Sequence, residues 1–548
     1  MCRDDTLSIQ PLGDAALIVA PRGDASAGWA AAARAALLAT PLAGVTDLTP
    51  AFGVLGVFYD PSAISSGPDE SAMSVVRAWL RSSLGELSIG ETNTARQIDI
   101  PVCYDADFGL DQDALAAHAR LTRAEVIARH AAGDYVVGAI GFQPGFAYLT
   151  GLSPELHTPR RSSPRTRVAA GSVGIGGAYT GIYPAESPGG WNLIGRTPTG
   201  QYNASSSPDS LLKVSDRVRF IPISAEKYEL LSRQAERTAP HAPNSARPAL
   251  VRIVSPCPGL TLQGTPQQGQ QHNGVSPGGP MDASSQRLAN RLVGNPHDAK
   301  TVEATLIGPR MEALRDLSLG IAGATPLGFG GARRIELSAG GTIDLRTLAG
   351  GSRLYVATPG GFSALSGDTL FGINEQPPGC LQSNKSQRWS LNFSAFGIRD
   401  ADGTVALRVL RGPQAEHFAA GAWRCLVTDV YRIGSHSDRA GIRCEGTPLL
   451  SDNVGAMPSQ PVCHGALQVP PDGQPIILGA DRFTLGGYPM IAAVVSADWP
   501  ALGQLRPGDR VRFVETTLAA AERARHAAEA ELNRLEAAID LRRSHDTL

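Results

Sequence analysis

The sequence predicts a β-rich α+β protein of several domains, and three observations carry that prediction. The chain has 548 residues, enough for roughly three or four ordinary domains. Glycine (61) and proline (40) are abundant, which favours turns and β structure over long helices. Short apolar or alternating runs bounded by turn residues recur along the chain, while clear helical patterning is confined to a few short stretches and one long one.

Residues 1–95 read as a small α+β module. Ala15–Val19 and Val54–Tyr59 are strand runs, the second stopped by Asp60-Pro61. Ala25–Ala39 is alanine-rich and helical, and Val75–Leu84 is a second helix with Gly85 as its stop. Residues 96–232 open on the alternating strand Ile98–Tyr104 and pass through two short helices between 111 and 132. Thr122 is the N-cap of the second, with Glu125 completing a capping box. After Tyr135 the chain turns β-rich to about residue 222. Residues 233–250 are polar and rich in proline and alanine, as a linker would be. Residues 251–514 form a second β-rich unit whose clear helix is Asp282–Leu292, with Leu288 and Leu292 one turn apart. Residues 515–548 close the chain with a charged helix. Its narrow stripe of Leu532, Leu535 and Ile539 suits a docking or fraying tail.

An internal echo links the two β-rich units. Gly189-Gly190-Trp191 precedes a strand ending in Asp216-Arg217-Val218-Arg219-Phe220. Gly486-Gly487-Tyr488 precedes Asp509-Arg510-Val511-Arg512-Phe513 at a similar spacing. Two related barrels in tandem would account for this, as would chance in so short a motif.

The totals exclude several classes. With 49 basic and 51 acidic residues the formal charge is 49 − 51 = −2, so there is no overall basic field for nucleic acid. No apolar run has the length of a membrane helix, and the polar start MCRDDTLSIQ is unlike a signal peptide. Seven scattered cysteines without a CxxC pair fit a reducing cytoplasm rather than a disulfide framework. The histidines form no ligand-like cluster, so no metal site is expected.

The most informative stretch is residues 141–197. Arg160, Arg161, Arg165 and Arg167 crowd into eight positions, flanked by Gly-Ser-Val-Gly-Ile-Gly and Ser-Pro-Gly-Gly-Trp. Planar guanidinium groups suit bidentate capture of carboxylate or phosphate, and glycine-rich backbone can present amides to an anion. A solvated basic loop is the plain alternative.

These residues resemble a known family. GFQPGFAYL (141–149), TPRRSSPRTRVAAGSVGI (158–175), TGIYPAESPGGW (180–191) and IGRT (194–197) resemble allophanate hydrolase subunit 1, which is also the B-type component of 5-oxoprolinase, over roughly residues 8–225. GVSPGGPMD (274–282), RLANRLVGNP (287–296), RGPQ (411–414), SDRAGIR (437–443), QVPPDGQPI (468–476) and GGYP (486–489) resemble the companion, allophanate hydrolase subunit 2 or the C-type component of 5-oxoprolinase, over 256–514. The pair is also similar to the carboxyltransferase part of urea carboxylase. The resemblance implies cyclophilin-like β-barrels in tandem. It further implies ATP-dependent opening of 5-oxoproline, or a related lactam or amide, to glutamate with a separate A-type subunit. It leaves a homo-oligomer open, and no biotin or metal site is implied in this chain.

Such chemistry needs cations for phosphoryl charge, donors for an oxyanion and a base for water. Arg160, Arg161 and Arg165 could hold phosphate or carboxylate, and the Gly171–Gly177 amides, Gly174 among them, could form an anion nest. His130 could be a general acid or base, or a structural histidine. Glu186, Ser187 and Asn192 could orient substrate or simply form turns, and Ser172 could donate a hydrogen bond. In the second half Ser276, Gly278, Gly279 and Asp282 lead into a helix N-terminus that could take an anion, or Asp282 could cap it. Asp438, Arg439, Gln468 and Asp472 match the family pattern as polar binding positions.

The second half departs from that pattern. Where the family has TTVQDxGRxG, the Asp and Arg positions are Gly264 and Gln267; His436 replaces an arginine and Met490 a lysine. The GSRST-type loop is not recognisable around Gly360–Phe371. These losses raise an alternative, a non-catalytic regulatory binding protein of the histidine-kinase-inhibitor type. The carboxyltransferase component of a biotin-dependent urea carboxylase is a further one.

Overall fold

The computed structural model describes residues 6–546 except 24, 66, 68–69, 86, 88–94, 204–208, 239–247, 256, 327–328, 330, 374–389, 392–398 and 452–456. Two closed seven-stranded barrels dominate it. Around the first, the strands run Gln97–Cys103, Asn192–Arg196, Ser172–Gly176, Tyr179–Ile182, Ala147–Thr150, Tyr135–Ile140 and Arg217–Ile223, which returns to the first. Around the second they run Val405–Arg411, Met490–Val494, Ala466–Gln468, Ile476–Leu478, Gly441–Glu445, Val430–Ile433 and Arg510–Glu515. Position by position the cyclic order is the same, and each ring closes on one parallel pair, its first strand against its last.

The echo in the sequence is therefore real. Gly189-Gly190-Trp191 and Gly486-Gly487-Tyr488 enter topologically equivalent strands, and the two DRVRF runs are the two closing strands. Alternation sets their faces: Val218 and Phe220 are buried while Arg217 and Arg219 are exposed, and Val511 and Phe513 are buried in the same way. Even the ion pair at the barrel mouth recurs, Arg96 with Asp216 and Arg399 with Asp509.

The N-terminal module holds four strands rather than the two expected. Leu7–Pro11 and Val45–Ala51 flank Ala16–Pro21 and Val54–Tyr59, and the sheet joins the first barrel at Ala51 and Ala139. Helices Ala27–Ala39 and Ala72–Leu84 cover it around Trp29, Leu37, Val76 and Leu80. The two short helices are Gln112–Ala119 and Arg123–Ala131, the latter opened by the Thr122/Glu125 capping box.

Two expectations need correction. Helix Ala225–Thr238 runs into the expected linker, because Glu226 to Thr238 keeps good helix formers with no proline before residue 240; the linker's positions 239–247 lie outside the described residues. The unit at 251–514 is two bodies, not one. Ahead of the second barrel, a five-stranded and a six-stranded sheet face one another over a shared core that includes Val251, Met311, Leu319, Val356 and Phe362.

Helix Ala283–Leu292 lies on the six-stranded sheet, and the 29-residue helix Leu518–Asp546 lies on it in turn. The stripe docks: Leu532, Leu535 and Ile539 pack with Leu288 and Leu292, while Arg287 bridges Glu529 (2.9 Å) and Glu536 (3.1 Å). Leu532 and Ile539, which are buried, contribute about 1.5–3 kcal/mol each, and the partly buried Leu535 less. At its start the helix touches the N-terminal module, where Leu518 joins the core of Leu7 and Ile9 and Arg525 Nη1 donates to Ser62 Oγ (2.8 Å). No helix among the described residues is long and apolar enough to cross a membrane.

The halves meet along a continuous seam. Ser496 donates through N and Oγ to Asp14 (2.9 and 2.6 Å), Gln271 N to Asp47 Oδ2 (3.0 Å), and Gly145 N to Asn273 O (2.8 Å). Leu12, Ile18 and Phe58 share one apolar cluster with Val462, Met490 and Ala493.

Candidate functional site

The arginine-rich segment is anchored by a residue that no sequence motif singles out. Asp111, 4% exposed at the start of helix Gln112–Ala119, accepts from Arg161 Nη1 (2.8 Å), from Arg165 Nη1 and Nη2 (2.9 and 2.8 Å) and from Leu193 N (2.7 Å). Burial alone would raise its carboxyl, but the Arg165 hydrogen bonds, the Leu193 amide and Arg161 together hold it below the ordinary carboxylate value. Arg161 and Arg165 thus serve first as structural partners. Arg167 pairs with exposed Glu186 (2.7 Å). Arg160 meets no carboxylate among the described residues and lies over the Trp191 indole, 6.0 Å from its centroid. Asn192 sets the base of this segment, donating to Pro159 O (2.9 Å) and Ile175 O (3.3 Å).

Ser172 and Gly174 are buried in a barrel strand. The expected anion nest is not formed there: Ser172–Gly176 pairs on both sides, with Tyr179–Ile182 and Asn192–Arg196, and the flanking amides of Gly171 and Gly177 donate to Tyr183 O and Thr158 O. The glycines make room instead. A Cβ at Gly176 would stand 2.6 Å from the Trp191 ring, and at Gly174 3.2 Å from the Trp191 side chain. Ser187 Oγ is buried without a hydrogen-bond partner among the described residues.

The expectation of an acid or base at His130 is corrected by its burial. It is fully buried, stacked on Phe220 at 4.7 Å. Thr180 Oγ1 gives its proton to Gly174 O and so accepts from His130 Nε2 (2.9 Å), which leaves Nδ1 to accept from the Tyr104 hydroxyl (2.9 Å). The ring is held neutral, and burial pushes its pKa down to about 3. A histidine protonates near 6.5 when unfolded, so the stabilisation from keeping it neutral is complete above that pH. It is lost as pH falls toward 3, with a slope of at most about 1.4 kcal/mol per pH unit. His130→Gln is expected to flatten the decline of the thermal midpoint between pH 6.5 and 4; an unchanged slope would contradict this account.

In the second half the family-matching residues build a buried charge network. Arg439 binds Asp481 with Nε (2.7 Å) and Nη2 (2.9 Å), Gly279 O with Nη2 (2.7 Å), and Glu303 with Nη1. Glu303 is fully buried and also accepts from Tyr355 OH (2.6 Å) and Met281 N (3.0 Å). Gly278 and Gly279 take positive φ in the turn beneath it (62° and 85°), and Ser276 Oγ donates to Ala480 O (3.1 Å). The helix N-terminus that could have taken an anion is filled by the chain's own carboxylate. Asp282, fully buried, accepts from Ser285 N (3.0 Å), Ser285 Oγ (2.6 Å) and Gln504 Nε2 (2.8 Å). Asp438 closes its own turn onto Ala440 N and Gly441 N, Asp472 does so onto Gln474 N, and Gln468 Nε2 donates to Tyr488 O (3.2 Å). None of these three is drawn to the arginine segment by a hydrogen bond.

The departures have visible consequences. Met490 is 1% exposed and packs in the seam cluster. At Gly264 an added Cβ would stand 3.0 Å from the Lys300 side chain. His436 and Gln267 are exposed. What does converge is the set of glycine motifs: the 141–146 loop meets the 270–274 turn through the Gly145–Asn273 hydrogen bond and meets Phe483 through Phe142 (5.2 Å).

Most of both barrels and of the two-sheet body falls within matches to carboxyltransferase domains. The model for carboxyltransferase domain, subdomain C and D, matches residues 7–212, and that for subdomain A and B matches 273–367 and 378–515. Over 231 residues the chain is 39% identical to the B-type component of 5-oxoprolinase from Bacillus subtilis, covering 40% of this chain and 94% of that protein. Over 294 residues it is 29% identical to the C-type component of 5-oxoprolinase from Escherichia coli, covering 50% and 94%. The crystal structure of TTHA0988 superposes with a TM-score of 0.73 at 31% identity, covering 91% of this chain and 99% of that one. The chain belongs to the carboxyltransferase-domain family, as a fusion of a 5-oxoprolinase B-like and a C-like half.

Proposed function

We propose that the chain supplies the B- and C-type parts of an ATP-dependent 5-oxoprolinase, opening 5-oxoproline to glutamate together with a separate A-type subunit. A lactam carbonyl is a poor electrophile. Transfer of the ATP γ-phosphoryl group to its oxygen makes the carbon open to water and C–N cleavage favourable, with ADP, phosphate and glutamate as products. The observation that carries the reading is the intact basic segment of the first barrel. It is held rigidly by Asp111 and Asn192, in the half that is 39% identical to a B-type component of 5-oxoprolinase. Of the predicted site residues, Arg160 is the one we assign to an anionic substrate, because it meets no carboxylate among the described residues, while Arg439 is paired with Asp481 and Glu303.

Co-expression with an A-type subunit is expected to give glutamate and ADP in equal amounts, dependent on 5-oxoproline. A second reading, binding without turnover, draws on Met490, where a charged family position has become seam packing. A folded complex that forms no glutamate, beside an active three-subunit control, would move the assignment there.

A further inference from the structure

A buried charge without a counter-charge lies on the seam between the halves. Arg482 is 6% exposed. Its Nε donates to Val462 O and its Nη2 to Gln271 Oε1, both at 3.3 Å. Both acceptors are neutral, and both bonds are long beside the roughly 2.7–2.9 Å of a guanidinium on an anion. Arg482 forms no ion pair among the described residues, whereas Arg353, buried as deeply, has Glu303 at 3.5 Å. Burial pushes the Arg482 guanidinium down to about 10, so it keeps its charge at neutral pH. A charge held this far from water needs a partner of opposite sign.

The neighbouring side chains do not supply one. Cys463 is near enough to feel the charge, but burial pushes its thiol up to about 12, and it donates to Leu12 O (3.5 Å). Asp47 is the carboxylate that acts on Arg482, and Arg34 draws on it too. Its oxygens go to Leu48 N (2.8 Å) and Gln271 N (3.0 Å) rather than to either guanidinium. Asp209, the other acid acting on Arg34, is exposed and paired with Lys213 (3.3 Å). Two guanidinium groups therefore share one buried carboxylate, and the seam carries one positive charge in excess.

The hydrogen bonding points the same way. A guanidinium has five N–H donors, and the two bonds of Arg482 use two of them. Thr484, two positions on and fully buried, holds a hydroxyl with no hydrogen-bond partner among the described residues. Hydroxyls shut away from water are as a rule bonded. The first half covers this stretch: Phe142 stands 5.2 Å from Phe483, and a Cβ on Gly141 would stand 2.6 Å from the Leu485 side chain.

We infer that the seam binds a small monovalent anion of halide size on Arg482, and that this ion ties the B-like half to the C-like half. The charge balance sets its valence. The burial of Arg482 and of Val462, Cys463 and Leu485 around it sets its size. A phosphate or a nucleotide would bring more negative charge than one guanidinium offsets. The site is independent of the 5-oxoprolinase reading.

Thermal unfolding of the full chain, with chloride replacing gluconate at constant ionic strength, tests it. The wild-type midpoint is expected to rise saturably with chloride, by about 2–4 °C. Arg482→Met removes the charge and keeps an apolar stem. It is expected to lose the chloride response and to match or exceed the wild-type midpoint in gluconate. Arg482→Lys keeps the charge without the fork and retains a weaker response. Crystals of the full chain grown in bromide are expected to give an anomalous peak at the Arg482 guanidinium, absent in Arg482→Met. A wild-type midpoint indifferent to chloride, a response that survives Arg482→Met, or no bromide at Arg482 would each overturn the proposal. Stabilisation by acetate and not by chloride would give the guanidinium to a carboxylate ligand and overturn it as well. Should Arg482→Met fail to fold, the wild-type titration and the bromide peak still decide.

Discussion

Replacing Glu303 with alanine is expected to destabilise the second half by about 4 kcal/mol, the usual scale for breaking a buried ion pair by removing one partner. Glu303 is fully buried and accepts from Arg439, the Tyr355 hydroxyl and the Met281 amide. Without it Arg439 keeps Asp481, but the buried Arg353, 3.5 Å away, loses its carboxylate, and the Tyr355 hydroxyl, in a fully buried ring, loses its acceptor. The network spans the two-sheet body and the second barrel, so its loss uncouples them. Denaturant unfolding followed by near-ultraviolet circular dichroism is expected to show the second half melting at markedly lower denaturant. The double variant Glu303→Leu/Arg353→Met is expected to recover part of the loss, since it removes the buried carboxylate with the buried guanidinium 3.5 Å from it and leaves Arg439 paired with Asp481. A single variant that unfolds at the wild-type midpoint would show that the network contributes little.

Asp111→Ala comes next in size, at about 2–3 kcal/mol. It frees two arginines that reach solvent in part (Arg161 36% and Arg165 22% exposed), so they rehydrate, but the Leu193 amide is left unsatisfied. The greater effect is on order: the segment that carries Arg160 loses its anchor. Because the folded carboxyl titrates below the ordinary value of 3.8, its contribution is complete above about pH 4 and lost as pH falls below that. The variant is therefore expected to be less stable than wild type at pH 7, with the gap closing in acid; a gap that persists undiminished at pH 2 would contradict the ion-pair account.

Strand runs and caps are legible in the sequence because they are local. Val54–Tyr59 and the Thr122/Glu125 capping box are specified by neighbours in the chain, and the structure has them. The DRVRF echo is visible for the same reason, but only the closed strand order separates it from chance. The partners of the arginines are not legible. Asp111 lies 50 and 54 residues from Arg161 and Arg165, and Glu303 lies 136 from Arg439. An acid at the end of a loop or inside a strand carries no local mark of the charge it will meet. The glycines mislead in a physical way. Their density suggests free amides for an anion, whereas the barrel consumes the amides and leaves the missing side chains as space for Trp191.

The long last helix starts where Leu518 packs on the apolar core of the N-terminal module and ends on the six-stranded sheet, where Ile539 packs with Leu288 and Leu292. At 29 residues it is about 43 Å long, a single rigid strut between the first module and the two-sheet body. The two halves are therefore held together at both ends of this strut as well as along the seam, and the tie does not depend on the segment that joins them in the chain.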